Sequence, residues 1–382
     1  MENRIRELDG LRGVAVILVM SYHVFKFAGY FTVHPILEVF TNITSVGWVG
    51  VDIFFTLSGF LITSILLKAK NGEHYFRNFY VRRVLRIFPL YYVTIALILL
   101  FAPKIEPEFT QNQGKMLPLM LFYQQNWAPL LKGFHFTQYL GATWSLAIEE
   151  QFYLIWPLIV YKLSRGQLMK LGVGYIIFSL IARTLGTILW PDPAQAIDFF
   201  YYSTFARFEE ILFGCLLAVF LTYDGAQHKV YRFSIIVFIP SFVVFVVLAM
   251  LSMPGLQRAE YPNPPLLIGG YTTVALLSAA LMGVFVTYPP QNILRRFFQN
   301  PIFAFFGKYS YSMYLFHMTP AIILLDVFWH SGMRGWKPYL LYVVTTFVST
   351  ILIALLTWNL LEKHLLGMKR LFEYKNPSEG SS

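Results

Sequence analysis

The sequence predicts an all-α fold: a polytopic membrane bundle of about ten transmembrane helices, with both termini cytoplasmic. Three observations carry that prediction. Of the 382 residues, 57% are hydrophobic and only 13% charged, against about 45–50% and 25% in soluble domains. Apolar runs of roughly 18–24 residues, long enough to span, recur near 11–31, 46–67, 83–102, 142–163, 168–190, 205–223, 233–251, 266–287, 309–329 and 339–361. With the N-terminus inside, 21 of the 30 Lys and Arg residues fall in inner loops and tails, as the positive-inside rule requires.

Taken in order, the first run lacks a small-residue cleavage site and reads as a full span rather than a leader. The loop at 103–141 lies outside and holds a short apolar patch, Met116–Tyr123, which suits a re-entrant or interfacial segment. Residues 1–367 form the integral membrane domain and 368–382 a short, polar, cytoplasmic tail. No strong internal repeat is visible, which disfavours a transporter built from inverted halves. The net charge of +10 comes in short basic clusters between apolar runs, a pattern of orientation and lipid headgroups, not of nucleic-acid binding. One cysteine, Cys215, excludes a disulfide and a CxxC redox motif, and no HExxH cluster suggests a metal.

Polar residues inside the spans are expensive and therefore informative. Arg12 and His23 stand eleven positions apart in the first span, roughly three turns and 16 Å, so they share one helix face. Asp52 in the second span, Glu149 and Glu150 in the fourth, Glu209 and Glu210 in the sixth and His317 in the ninth lie at overlapping depths. That overlap predicts one shared polar cavity. Adjacent residues point about 100° apart on a helix, so at most one glutamate of each pair faces its centre. Arg82, Arg83 and Arg86 fall within one turn where the third span begins, a spacing suited to multidentate phosphate binding. Positive-inside anchoring is the plainer account of the same arginines. A phosphate-type site inside and a His/carboxylate pocket further out fit a membrane acyltransferase using a nucleotide-tailed thioester.

Five segments carry a resemblance. LDGLRGVAVILVMSYH holds Arg12 and His23, GVDIFFTLSGFLIT holds Asp52, and RRVLRIFPLYY holds Arg83 and Arg86. TWSLAIEEQFYLIWPL holds Glu149, Glu150 and Tyr153, and SYSMYLFH ends at His317. In that order, over nearly the whole chain, they resemble the acyltransferase 3 family, integral membrane O-acyltransferases that acetylate bacterial surface polysaccharides and some secondary metabolites. The resemblance implies His23 as general base on an acceptor hydroxyl, or as a transient acyl carrier. It implies that Arg12, Arg83 and Arg86, with Arg82 beside them, bind acyl-CoA. Asp52, Glu149 or Glu150 would orient His23, and Tyr153 and His317 would line the acceptor pocket. Acyl-CoA, most simply acetyl-CoA, would be the donor substrate, with no permanently bound cofactor. The acceptor would be a hydroxyl of an extracytoplasmic carbohydrate or small molecule, at the cell membrane. Many members carry a further extracytoplasmic esterase-like domain; without one, the chain would act alone or with a separate transferase partner. Three alternatives stand beside this reading: a proton-coupled transporter or flippase using the buried His/carboxylate cluster, an acyltransferase with cytosolic or lipid acceptors, and a sensor or scaffold.

Overall fold

The computed structural model describes residues 5–31, 34–105, 116–131, 138–256, 265–287 and 293–373. Among them every regular element is helical and there is no strand. In chain order the helices are α1 (Arg6–Ala28), α2 (Pro35–Thr44), α3 (Val49–Ala69), α4 (Tyr75–Ile105), α5 (residues 116–121), α6 (Trp144–Lys162), α7 (Arg165–Leu189) and α8 (Pro193–Tyr202). They continue as α9 (Thr204–Phe220), α10 (Ala226–Leu256), α11 (Tyr271–Thr287), α12 (Ile293–Phe298), α13 (Pro301–Lys308), α14 (Ser310–Phe316), α15 (Met318–His330), α16 (Trp336–Thr357) and α17 (Lys363–Met368).

Eight helical stretches among the described residues are long and apolar enough to cross a membrane. The other two expected spans are α6 and α9, which carry the two glutamate pairs and bury more than half of their residues. The chain is thus an all-α polytopic membrane protein. Local chemistry starts the helices where the sequence allows. Ser164 and Gln167 form a capping box at α7, and the Ser203 side chain accepts from the Ala206 N–H at α9.

Small residues set the closest crossings, as is usual where lipid offers no hydrophobic drive between helices. A Cβ on Gly59 of α3 would strike the Ile211 carbonyl of α9, and one on Gly214 of α9 would strike the Thr56 carbonyl of α3. The two backbones therefore touch. Around this pair the main core gathers α3, α4, α6 and α9. The outward residues of α7, α10 and α16, among them Phe178, Ile236 and Leu352, stay exposed, as a lipid-facing surface should.

Tyrosines lock α4 to its neighbours. Tyr75 and Tyr80 donate to the carbonyls of Pro157 and Leu154 in α6, at 3.0 and 2.8 Å. Tyr91 and Tyr92 donate to Met120 and Leu121, which seats α5 and so the apolar Met116–Tyr123 patch against α4. Two peripheral pieces matter later. Helix α2 has no buried residue, and its Ile36, Val39, Phe40 and Ile43 are exposed. The start of the expected polar tail is folded: Lys369–Phe372 forms a 3-10 turn packed on α4, while 374–382 lie outside the described residues.

Candidate active site

A cavity of about 180 Å³ lies between α1, α3, α4, α6 and α14. Helices α4 and α6 place its charges. Arg12, Arg83 and Arg86 line one end, Ser58, Glu149 and Tyr153 the middle, and Ser145 and Tyr314 the other end. The Arg83 guanidinium lies 5.4 Å from the Tyr153 ring centroid and 5.8 Å from that of Phe79, within cation–π range of both rings. The Tyr153 hydroxyl bonds to Ser58, and Arg12 pairs with Asp9 at 3.2 Å. Arg82 is half-buried beside them but does not line the cavity. The glutamate pair divides as helix geometry demands: Glu149 is in the wall and Glu150 is not.

Beyond the Tyr314 end stand the two histidines. Tyr314 is anchored by its hydroxyl, 2.5 Å from Ser145 Oγ and 2.9 Å from the Ala142 carbonyl. Its ring centroid lies 5.7 Å from that of His317. His317 is fully buried and Nδ1 sits 2.7 Å from the Tyr314 carbonyl. A carbonyl only accepts, so Nδ1 carries the proton and Nε2 of the neutral ring is an acceptor. That Nε2 is 3.2 Å from His23 Nδ1, which is also 3.0 Å from the Val19 carbonyl. His23 Nδ1 therefore carries a proton shared between two acceptors, and its Nε2 holds the lone pair. The half-buried His23 thus presents its lone pair on Nε2.

The carboxylates expected to orient His23 do not reach it. Among the described residues no hydrogen bond joins Asp52, Glu149 or Glu150 to either histidine; His317 and the Val19 carbonyl occupy that role's position. Asp52 instead bonds to Arg207 of α9. Arg207 also lies 3.1 Å from Glu210 and 3.9 Å from the centroid of the Tyr271 ring. Next to it, Arg183 of α7 pairs with Glu209 at 2.8 Å and donates to Thr272 at 2.7 Å. All five charged side chains are at most 1% exposed. The single shared cavity expected from depth is therefore two sites: overlapping depth fixes one coordinate, and helix rotation, the second, turns Asp52 and Glu210 toward Arg207 and Glu209 toward Arg183. Arg183, Arg207, Ser58, Ser145 and Tyr314 were not among the sequence candidates. The i, i+3 spacing of Arg207 and Glu210 inside an apolar run was the available signal.

A family model described as an acyltransferase domain, Acyl_transf_3, matches residues 5–358. The chain is 30% identical over 362 residues to OatA, named a peptidoglycan O-acetyltransferase, from Listeria monocytogenes serovar 1/2a; the match covers 89% of this chain and 53% of that protein. It is 29% identical over 371 residues to YrhL of Bacillus subtilis (strain 168), provisionally named a peptidoglycan O-acetyltransferase, covering 93% of this chain and 54% of that one. A Staphylococcus aureus (strain COL) protein provisionally named an O-acetyltransferase is 28% identical over 327 residues, covering 82% and 50%. The chain spans about half the length of these curated relatives. No solved structure matches it. With the match running from the start of α1 to the end of α16, this membrane protein belongs to the acyltransferase 3 family.

Proposed function

We propose that the protein moves an acetyl group from cytosolic acetyl-CoA to a hydroxyl of an extracytoplasmic glycan. The observation that carries this reading is the alignment of cavity and histidines: arginines at one end, Tyr314 at the other, and the His317–His23 pair just beyond. A nucleotide tail docks on Arg12, Arg83 and Arg86 at the cytosolic face, where planar guanidiniums meet phosphate oxygens in pairs. The pantetheine arm rises past Ser58 and Tyr153. Its thioester meets the acceptor hydroxyl near His23.

There His23 Nε2 takes the hydroxyl proton as the oxygen attacks the thioester carbonyl. The C–S bond breaks, CoA leaves as thiolate, and the imidazolium returns the proton to sulfur. His317 acts as a positioning residue: it accepts from His23 Nδ1–H, holding the ring and stabilising the charge that develops on it. Glu149 and Tyr153 line the arm's path; Asp52 is removed from the chemistry by its bond to Arg207. The names of OatA and YrhL support a peptidoglycan acceptor as the first glycan to try.

The test uses purified protein in sealed vesicles of known orientation, with labelled acetyl-CoA on the arginine side and glycan fragments on the other. Label should appear on the glycan, and not when both substrates share the histidine side. Transfer that proceeds without acetyl-CoA reaching the arginine side would overturn the donor assignment. Glycan uptake without thioester consumption would instead favour transport.

A further inference from the structure

Tyr314 touches both halves of the proposed path. It lines the end of the cavity, and its ring stands against His317, the planes at 48°. Neither histidine is part of the cavity wall. The Tyr314 ring is braced on several sides. Its hydroxyl is held by Ser145 and by the Ala142 carbonyl, and Phe54 meets it edge-on, centroids 5.9 Å apart and planes at 72°. The one phenolic proton goes to that carbonyl, and Ser145 then donates to the phenol oxygen. With both protons spent, this end of the cavity offers no spare hydroxyl proton. On α3 the wall residues on this side of Ser58 are Val51, Phe54, Phe55 and Leu57, all apolar. On α6 the wall steps by single turns through Ser145, Glu149 and Tyr153. The first ionisable group met below Ser145 is therefore a carboxyl, while the arginines line the opposite end.

We infer that Tyr314 limits the length of the acyl group the protein transfers: braced by Phe54 and held by Ser145, its ring closes the histidine end of the cavity to all but a short, uncharged chain. Given the donor reading above, the acyl group is the leading end of a thioester that enters past the arginines. It meets this ring before it meets His23. Acetyl presents a single methyl to it. Each further methylene must displace a ring fixed by its hydroxyl and by two neighbouring rings, and one methylene too many in an apolar pocket costs about 10–200-fold in discrimination. A chain ending in a carboxylate, such as succinyl, would also be buried with neither a cation nor a hydroxyl proton to meet it, and with Glu149 one turn away.

The test is competition. The full chain in nanodiscs receives glycan fragments and two differently labelled donors at once, acetyl-CoA with butyryl-CoA or acetyl-CoA with succinyl-CoA. The product ratio reads relative kcat/KM and is independent of how much of a variant is folded. Wild-type protein should favour acetyl over butyryl by about 100-fold or more, for two methylenes, and should reject succinyl. Tyr314→Ala should move the acetyl/butyryl ratio toward butyryl by about tenfold or more, and Phe54→Ala should move it the same way by less. Tyr314→Phe keeps the bulk of the ring and should stay near wild type. Wild-type use of butyryl or succinyl as readily as acetyl would overturn the inference, as would an unchanged ratio in Tyr314→Ala. So would a shift in Tyr314→Phe as large as in Tyr314→Ala, which would place the effect in the hydroxyl and not the ring. If Tyr314→Ala transfers nothing, Phe54→Ala decides, and an unchanged ratio there overturns the inference. Folded wild-type protein that consumes no acyl-CoA of any length would instead remove the donor reading itself.

Discussion

Two groups of arginines in one bundle make opposite uses of the same chemistry. Arg183 and Arg207, 0% and 1% exposed, are locked to Glu209, Asp52 and Glu210, with Arg207 lying on the Tyr271 ring. Arg83 and Arg86 line an open cavity, and Arg86 forms no ion pair with any carboxylate among the described residues. In the first group each guanidinium faces a carboxylate, and the pairs join α3, α7, α9 and α11. In the second, Arg86 faces the cavity without such a pair. A guanidinium inside a membrane protein is therefore read by what already faces it, and depth alone does not distinguish a clamp from a binding site.

The comparison predicts that cavity-side substitutions damage activity and leave stability, while cluster substitutions do the reverse. The largest effect belongs to the proposed base beyond the cavity. His23→Ala should lower acyl transfer by about 10²–10⁴-fold with an unchanged unfolding temperature; full transfer by the folded variant would remove His23 from the chemistry. Next comes Arg207→Met, which leaves Asp52 and Glu210 buried without their cation and should cost about 3–5 kcal/mol. That loss is read as a lower unfolding temperature in detergent, and an unchanged temperature would break the contrast at its structural end. The α3–α9 crossing beneath the cluster is more forgiving. Gly214→Ala should cost about 1–3 kcal/mol as the backbones part, again in thermal unfolding. The smallest effect sharpens the other end: Arg86→Gln should weaken CoA binding about tenfold, about 1.4 kcal/mol, without a stability change.

Most of the fold was legible because a bilayer imposes one rule, that each crossing be a long apolar helix. All ten runs lie on helices, α6 and α9 being legible by position although they are the two that fall short as isolated spans. The cationic end was legible too, since Arg12 shares a helix face with His23, and Arg83 and Arg86 share one turn; all three arginines line the cavity. What stayed hidden was rotation. Sequence gives the height of Asp52 and of His317 but not the neighbour each faces: Asp52, expected at His23, meets Arg207, and His317, expected in the acceptor pocket, meets His23. Tyr314 was hidden for another reason, since a tyrosine at a span's centre reads as packing until its hydroxyl is seen against Ser145. Lys369 was taken for tail because nothing in its flanking residues announces the turn that Phe372 and Asn78 hold.

Helix α2 carries a last consequence. Its apolar side chains Ile36, Val39, Phe40 and Ile43 all face outward while Glu38 lies on the same short helix, the make-up of a segment that rests at the lipid–water boundary. Such a segment acts as a float. Raising the protein would lift that oily strip into water at about 25 cal/mol per Å², and sinking it would drag a carboxylate into hydrocarbon. Because α2 begins twelve residues after His23, a shift in the waterline it sets would also shift the depth of the proposed base, and bilayer thickness would then tune how wet that ring is.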